Sequence, residues 1–300
     1  MDCGVAICFA KLFSLGLKMK LLRYGEKGQE KPGLLDDTGH IRDLSQIVLD
    51  INGSNLSPDS LNRLRDADLD SLPFVEGEHR LGSCIATPGK FIGIGLNYSD
   101  HAKESGMAIP EEPIVFMKAD SAMCGPHDDI MQPLDSIKMD YEVEIAIVIG
   151  RAARNVSEQE AADSIAGYCI VHDVSERSFQ LERSSGQWDK GKCCDTFGPT
   201  GPWLVTSDEV GDVQNLAMWL DVNGERRQTG NTSTMIFSCH YLVSYLSRFM
   251  TLNPGDIIAT GTPPGVGMGM NPPQWLQPGD QVSLGIDGLG EQNQRVIPYT

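Results

Sequence analysis

The sequence predicts a β-rich α+β protein with a small α/β unit at the N-terminal end. Many short runs of β-type residues are separated by glycine and proline turns such as "TPGK", "FGPTGP", "LNPGD" and "LQPGD". Only a few stretches have helical character. Regular βαβ alternation and internal repeats are both absent, which disfavours a doubly wound parallel sheet and repeat architectures.

Length and composition bound the domain organisation. Three hundred residues that are 40% hydrophobic suit one large domain with a small partner. We expect residues 1–18 to be an extension outside the fold, 19–81 to form a small N-terminal domain and 82–300 to form the main domain. Asp2 in place of a basic start and Lys11 within the apolar run argue against a secretory signal peptide. No run reaches the roughly 18 apolar residues that a membrane span needs.

The elements follow from the local pattern. A strand at "MKLLRYG", a turn at "GEKGQEKPG", a second strand and a helix within "SPDSLNRLRDADLDSL" make up the predicted N-terminal unit. In the main domain, helices are predicted within "SEQEAADSIAG", "SERSFQLE" and "FSCHYLVSYLSRFM".

Charge and cysteine usage exclude some classes of function. The chain has 24 basic and 41 acidic residues and a net charge of −17, which disfavours nucleic-acid partners and anionic membranes. Eight cysteines without a CxxC pair indicate reduced thiols in a cytoplasmic protein. Adjacent Cys193 and Cys194 could suggest redox chemistry, but they lack the CxxC spacing.

Two glycine-rich stretches do not match nucleotide-binding motifs. In "FIGIGLNY", Gly93 and Gly95 follow a strand, but Tyr98 occupies the position of the third glycine of a dinucleotide fingerprint. The loop "GTPPGVGMGM" lacks the ending of a phosphate loop. It is either a tight turn or a place where backbone amides approach an anionic ligand.

Three carboxylates near strand ends could hold a metal ion. In "MDYEVEIAIVIG", Glu142 and Glu144 lie on one face at the start of a buried strand, roughly 7 Å apart. Asp173 ends the strand-like "GYCIVHD". Read singly, the glutamates are a solvated strand end, and Asp173 with Glu176 is a helix capping box. Together they offer the oxygen ligands that suit Mg²⁺, Mn²⁺ or Ca²⁺.

A second constellation could perform acid–base chemistry. If "SDHAKES" forms a helical turn, His101 and Glu104 lie on one side, and the carboxylate can orient the imidazole to remove a proton from water. The alternative is a surface turn. Arg177, Gln180 and Lys192 are each explained singly as surface or structural residues, but jointly they could hold an anionic substrate.

These motifs occur in a family order. The run "GIGLNYSDHAKE", "PIVFMKADSAMCGP", "MDYEVEIAIVIG", "GYCIVHDVSERSFQ", "GKCCDTFGPTGPWLV" and "NPGDIIATGTPPGVG" resembles the fumarylacetoacetate hydrolase family from about Gly82 to Pro298. The resemblance implies a mixed β-sandwich roll, a homodimer and a site for Mg²⁺ or Mn²⁺ at Glu142, Glu144 and Asp173.

The resemblance also implies roles for the remaining residues. His101 and Glu104 match a catalytic pair on a lid, and Lys192 matches a basic group that faces the substrate. Substrate-contacting positions match four residues, Tyr98, Arg177, Gln180 and Thr262. Asn97 stands where some members have an additional aspartate ligand.

The reaction implied by the resemblance is hydrolysis of the C3–C4 bond of a 2,4-diketo acid, an acylpyruvate or a 2,4-diketo-3-deoxy sugar acid such as the rhamnonate or fuconate derivative. The products are pyruvate and a second carboxylic acid. Two alternatives stay open at this stage. One is a decarboxylase or isomerase of keto acids such as oxaloacetate, and the other is a non-catalytic protein that binds a metal and a keto acid.

Overall fold

The computed structural model describes residues 19–67, 71–104 and 108–299. Predictions that fall on residues 1–18 therefore lie outside the described residues. The strands within the described residues are β1 (Lys20–Tyr24), β2 (Lys31–Leu35), β3 (Ile41–Asp43), β4 (Phe91–Gly95), β5 (Ile114–Lys118), β6 (Met123–Cys124), β7 (Ile130–Met131), β8 (Met139–Asp140), β9 (Val143–Ile149), β10 (Ile165–His172), β11 (Ser175–Glu176), β12 (Gly198–Thr206), β13 (Ala217–Val222), β14 (Glu225–Asn231), β15 (Ile257–Ala259), β16 (Gln281–Ile286) and β17 (Gly290–Ile297).

Helices are short and fewer than strands. Within the described residues the α-helices are α1 (Pro58–Arg65), α2 (Ser99–Glu104), α3 (Glu158–Ala162), α4 (Asp189–Lys192) and α5 (Cys239–Ser247). A one-turn π-helix also covers Ser178–Glu182. The predicted β-rich α+β class is confirmed. Among these described helices, none is long and apolar enough to cross a membrane.

The strands form a large mixed sheet that curls back on itself. Its order is β3-β2-β1-β12-β10-β9-β15-β4-β5. After β5 a single 3₁₀ turn leads to β6, which pairs with β12 near the middle of the same sheet. A second sheet has the order β14-β13-β16-β17-β7, and β8 pairs with β11. The result is the mixed β roll that the resemblance implied.

Strand β9 separates two apolar cores. Its odd-numbered residues from Ile145 to Ile149 pack with side chains of the second sheet, including Leu220 and Leu284. Ala146 and Val148 point to the other side and pack with β1 and α1. Because alternate side chains of a strand face opposite ways, burial on both faces requires a continuous apolar run, and this is what the sequence has.

The N-terminal unit joins the large sheet directly. Strand β1 pairs with β12, and β2 and β3 extend the sheet beyond it. Helix α1 begins where "SPDS" predicts, since the Ser57 hydroxyl accepts a hydrogen bond from the Ser60 amide at 3.2 Å. The division between residues 81 and 82 stays a prediction.

Two predicted helices are shorter than expected or absent. In "SEQEAADSIAG" the helix ends at Ala162, and β10 already begins at Ile165. The prediction of an α-helix over "SERSFQLE" is wrong, because Ser175 and Glu176 pair with β8 before the π-helix starts. The helix predicted in "FSCHYLVSYLSRFM" is confirmed as α5.

Candidate functional site

The register of three neighbouring strands brings the carboxylates together. Strands β9 and β10 are antiparallel, with Val143 opposite His172, so the next pair in the ladder joins Glu142 and Asp173. The Asp173 amide donates to the Glu142 carbonyl at 2.9 Å. On the other side of β9, the Gly261 amide donates to Glu144 Oε2 at 2.8 Å. The start of β9, the end of β10 and the segment that follows β15 therefore meet at one point.

The three carboxylates form a buried cluster, which we call the acidic triad: Glu142, Glu144 and Asp173. One oxygen from each lies within 4.8 Å of the others. The residues are at most 6% exposed to solvent. The interpretation of Asp173 as a helix cap is wrong, because no helix begins there and its carboxylate contacts two lysines.

Two buried lysines neutralise part of the acidic triad. Lys192 Nζ lies 2.6 Å from Glu142 Oε2 and 2.7 Å from Asp173 Oδ2. Lys118 Nζ lies 2.5 Å from Asp173 Oδ1 and 2.7 Å from the Lys192 carbonyl oxygen. Each lysine is almost fully buried. Lys118 therefore holds both the carboxylate of Asp173 and the backbone that carries Lys192.

Arg177 completes the charge network. Its Nη2 donates to Glu142 Oε1 at 2.6 Å, its Nε to Asp140 Oδ2 at 2.8 Å and its Nη1 to Gln180 Oε1 at 3.0 Å. The Asp140 carboxylate also accepts hydrogen bonds from the Gly267 amide at 2.7 Å and the Met268 amide at 3.1 Å. Asp140 thus links Arg177 to the glycine-rich loop of residues 261–270.

Burial and neighbouring charges shift the pKa values of Glu142 and Glu144 in opposite directions. Burial raises the pKa of Glu144, and the nearby Asp173 and Glu142 raise it further, well above its ordinary value. Burial also acts to raise the pKa of Glu142, but the charges of Arg177 and Lys192 outweigh it and lower that pKa. Of these two glutamates, Glu144 is therefore the one with the greater need of an additional cation in order to ionise.

The donor set fits a divalent metal ion with a preference for oxygen ligands. Among the described residues, the network joins four carboxylates (the acidic triad and Asp140) and three cations (Lys118, Arg177 and Lys192), so one negative charge remains when all are ionised. Carboxylate oxygens suit Mg²⁺, Mn²⁺ and Ca²⁺. Glu142, Glu144 and Asp173 are the residues that would hold the ion.

Asn97 has a structural role beside the triad. Its Nδ2 donates to the carbonyls of Thr260 at 2.8 Å and Phe237 at 3.0 Å, and its Oδ1 accepts from the Phe237 amide at 2.8 Å. Both ends of the side-chain amide are therefore engaged with the backbone. Position 97 therefore adds no fourth carboxylate to the acidic triad.

The predicted His–Glu pair lies on α2, which covers the site. His101 Nδ1 is 3.3 Å from Glu104 Oε2, and the histidine is 5% exposed. The Gly265 amide donates to both oxygens of Glu104, at 3.2 and 3.1 Å. With Nδ1 directed at the carboxylate, Nε2 is the ring nitrogen available to accept a proton.

A cavity of about 50 Å³ joins the two constellations. Its polar lining comprises His101, Glu142, Glu144, Arg177, Gln180, Lys192 and Thr262. The Thr262 hydroxyl donates to the Val143 carbonyl at 2.9 Å and accepts from Gln228 Nε2 at 2.8 Å. Nine of the ten residues singled out from the sequence therefore line the cavity or contact a residue that does.

Tyr98 is the exception. Its side chain is fully buried, and its hydroxyl lies 3.3 Å from Met218 Sδ in the core rather than in the cavity wall. The structure does not support a direct substrate contact at Tyr98. Its backbone instead pairs with that of Met235 immediately before the start of α2.

Sequence reasoning missed several residues of the site. Lys118 and Asp140 contact the charged groups, Gln228 holds the Thr262 hydroxyl and the Val143 amide, and Phe116 and Trp188 line the cavity. The only signal for Lys118 is its place in "PIVFMKAD", where a lysine ends an apolar strand. Asp140 lies two residues before Glu142 and continues the acidic alternation, whereas the pattern around Phe116, Trp188 and Gln228 carries no comparable signal.

The chain is similar to known proteins over most of its length. Residues 90–297 match the family described as "Fumarylacetoacetate (FAA) hydrolase C-terminal". The chain belongs to the fumarylacetoacetate hydrolase family. A protein from Burkholderia ambifaria, provisionally named as a hydrolase without a stated substrate, is 60% identical over 92% of this chain and 98% of its own length.

Solved structures of the family superpose on most of the chain. A fumarylacetoacetate hydrolase from Exiguobacterium antarcticum has a TM-score of 0.82 and 36% identity, over 94% of this chain and 100% of that one. A maleylpyruvate hydrolase from Sphingobium, solved with manganese(II) and pyruvate, has a TM-score of 0.78 and 28% identity, with the same coverage. A 5-carboxymethyl-2-hydroxymuconate delta-isomerase from Mycobacterium smegmatis has a TM-score of 0.73 and 32% identity, also with that coverage. The chain is thus a family enzyme of the hydrolase or isomerase kind.

Proposed function

We propose that this protein is a metal-dependent hydrolase that cleaves the C3–C4 bond of a 2,4-diketo acid, an acylpyruvate or 2,4-diketo-3-deoxy sugar acid, to pyruvate and a carboxylic acid. The observation that carries this proposal is the juxtaposition of a proton-accepting His101–Glu104 pair and the acidic triad on one small cavity. The maleylpyruvate hydrolase solved with manganese(II) and pyruvate supports it.

His101 and Glu104 activate the water in this proposal. Nε2 of His101 accepts a proton from water while the oxygen attacks the C4 carbonyl of the substrate. Glu104 holds the imidazole and stabilises its positive charge, and the Gly265 amide fixes Glu104. Cleavage of C3–C4 then leaves the electron pair on C3, and the proton on His101 is available to return to that carbon.

Lys192 stabilises the oxyanion that develops at C4. Two of its three N–H donors face Glu142 and Asp173, which leaves one donor for the substrate. Arg177 and Gln180 orient the substrate carboxylate. A divalent ion, Mg²⁺ or Mn²⁺, would supply Lewis-acid stabilisation of negative charge on the keto acid when bound at the triad.

A screen of 2,4-diketo acids tests the proposal. With Mg²⁺ or Mn²⁺ we expect loss of the diketone absorbance and stoichiometric pyruvate, and EDTA should abolish both. His101→Gln should lower kcat by about 10²–10⁴-fold while calorimetry finds unchanged metal affinity. His40→Gln, at an exposed histidine, is the matched control. Near wild-type kcat in His101→Gln would refute the general-base assignment.

The isomerase among the related structures favours one alternative function. An isomerase or decarboxylase needs the chelating site but no attacking water. Carbon dioxide release from oxaloacetate, or isomerisation of a hydroxymuconate, without hydrolysis of any acylpyruvate would select this alternative. Incorporation of ¹⁸O from water into the carboxylic acid product distinguishes the hydrolase directly.

A further inference from the structure

The cavity has a polar end and an apolar end. The acidic triad, Arg177 and Lys192 form the polar end. The apolar part of the lining, which we call the apolar wall, consists of Ile94, Leu96, Phe116, Leu181, Trp188 and Met268. The mechanism proposed above uses the polar end and His101, so the apolar wall is left to contact the rest of the substrate.

The wall begins directly beside the charged groups and leads outward. Lys192 Nζ lies 4.9 Å from the centroid of the Phe116 ring. The Phe116 ring in turn lies 5.8 Å from the Trp188 ring, whose edge packs against the backbone of Gly95. Leu181 is 45% exposed and stands at the mouth. A substrate anchored at the triad must therefore direct its far end along these side chains.

Within the described part of the chain, no lysine or arginine other than those of the polar end lines the cavity. Among the described residues that line the cavity, the lysine and arginine side chains are those of Lys192 and Arg177. Both are committed to the polar end, where they contact Glu142, Asp173, Asp140 and Gln180. A carboxylate placed against the wall would lose its hydration without gaining a partner.

The acidic residue that follows Trp188 in the sequence, Asp189, reinforces this preference. Asp189 lies in the outer groove, where its Oδ1 accepts a hydrogen bond from the Met117 amide at 2.9 Å. Its negative charge disfavours a second anion on that side.

We propose that the substrate carries a single carboxylate, bound at the polar end, and a short, uncharged and mainly apolar acyl group that packs on the apolar wall. This inference rests on the proposed function and narrows its substrate class, because diketo acids with a second carboxylate at the far end are excluded. The cavity of about 50 Å³ favours a small acyl group.

A binding comparison tests the wall without requiring turnover. The probes are 2-oxohexanoate and 2-oxoadipate, keto acids of equal chain length that differ in a methyl or carboxylate end. Calorimetry with the Mn²⁺-loaded protein should find 2-oxohexanoate bound at least about 10-fold more tightly, because only 2-oxoadipate places a charge on the wall. Equal or tighter binding of 2-oxoadipate would overturn the inference.

A charge introduced at the mouth should weaken the preference. Leu181→Arg places a cation at an exposed position of the wall and should lower the ratio of affinities, 2-oxohexanoate over 2-oxoadipate, by about 10-fold. Leu134→Arg adds the same charge at another exposed leucine, outside the cavity, and should leave the ratio unchanged. An unchanged ratio in Leu181→Arg, with a normal circular dichroism spectrum, would contradict the position assigned to the acyl group.

Turnover separates this inference from the proposed function. The wild-type enzyme should hydrolyse 2,4-dioxopentanoate with kcat/KM at least about 100-fold above that for maleylpyruvate, which carries a second carboxylate. If no 2,4-diketo acid is hydrolysed but the binding preference holds, the hydrolase proposal fails and the apolar wall stands. Preferential hydrolysis of maleylpyruvate would support the hydrolase proposal and refute the inference that the apolar wall binds an uncharged acyl group.

Discussion

At the scale of single residues, the site depends on buried charges that compensate one another. Lys118 contacts Asp173 and the Lys192 carbonyl, and its side chain is inaccessible to solvent. Burial lowers the pKa of Lys118, whereas the adjacent Asp173 acts to raise it. Because breaking a buried pair leaves an uncompensated charge, removing Lys118 should cost more than removing a surface lysine.

Lys118→Met should destabilise the metal-free protein by about 3–5 kcal/mol, since it leaves the Asp173 carboxylate short of one partner. A bound cation would compensate that carboxylate. We therefore expect Mn²⁺ to raise the melting temperature of the variant by more than that of the wild type, as measured by calorimetry with and without EDTA.

Lys138→Met provides the control for this comparison. Lys138 pairs with Glu182 at a partly exposed position, where such a pair contributes at most about 1 kcal/mol. Equal destabilisation by the two substitutions, or an increment from Mn²⁺ no larger in Lys118→Met than in the wild type, would contradict the role assigned to Lys118.

The sequence allowed the carboxylates to be predicted better than their partners. Glu142 and Glu144 interrupt an apolar strand, and charges at such a position require an explanation that local structure does not provide. The signal for Lys118 is weaker, a single lysine at the end of an apolar strand, and Lys118 meets Asp173 only where β5 and β6 curl the sheet back toward β12. Tyr98 was assigned from its place in a motif, and motif position does not determine which way a side chain points.

At the scale of elements, α2 is fastened to the glycine-rich loop. The Glu104 carboxylate accepts from the Gly265 amide, while the Tyr141 hydroxyl donates to the Gly265 carbonyl at 3.1 Å. Gly265 has φ of +104°, and a Cβ atom there would lie 2.1 Å from the Arg227 carbonyl oxygen. Only glycine fits at this point of the loop without displacing the backbone.

Gly265→Ala should therefore release α2 by moving the loop away from Glu104. We expect kcat to fall at least about 10-fold because His101 loses its fixed orientation, while metal affinity changes little. Hydrogen exchange of residues 99–104 should become faster.

Gly211→Ala serves as the control for the glycine substitution. Gly211 has a positive φ of +75° but open space around its Cα, so alanine there introduces backbone strain without a clash. It should lower stability slightly and leave turnover and exchange of α2 unchanged. Unaltered hydrogen exchange of α2 in Gly265→Ala would refute the role assigned to Gly265 in holding α2.

Elements with a strong local pattern were predicted well. β9 has a continuous apolar run and α5 has both an N-cap serine and an apolar face, so local and tertiary preferences agree. The segment "SERSFQLE" has helical composition, yet its first residues pair with β8. That pairing joins residues 35 or more positions apart, and no local pattern reports it.

At the scale of the whole molecule, stability should depend on pH through a buried histidine. Burial lowers the pKa of His172 from 6.5 to about 4. Its Nδ1 lies 3.1 Å from Gln294 Oε1, and its Nε2 has no hydrogen-bond partner. Between pH 6.5 and 4, His172 binds a proton in the unfolded chain but not in the folded protein. The free energy of unfolding therefore falls as the pH is lowered through this range.

We expect this histidine to lower the free energy of unfolding by up to about 3 kcal/mol between pH 6.5 and 4. Denaturant unfolding at several pH values in EDTA measures it. His172→Gln should have a shallower dependence than the wild type, whereas His79→Gln, at an exposed histidine, should retain the wild-type slope. Identical slopes in all three proteins would exclude the contribution of His172.

The fold class and the family could be predicted because they depend on features spread over the chain, namely strand periodicity, turn residues and the order of six motifs. The finer properties depend on few side chains and on other molecules. The native metal, the acyl group and the homodimer that the resemblance implied accordingly stay predictions. The apolar wall illustrates the difficulty, because its members are common core residues until the roll brings them beside Lys192.

The hydrogen bonds of Asn97 also bear on how such enzymes diverge. A carboxylate at this position would oppose the carbonyl oxygens of Phe237 and Thr260, which now receive N–H donors from the side chain. Asn97→Asp alone would therefore set a carboxylate oxygen against the backbone carbonyls of two other segments. A change in the number of acidic residues at the site is in this sense coupled to the backbone of those segments.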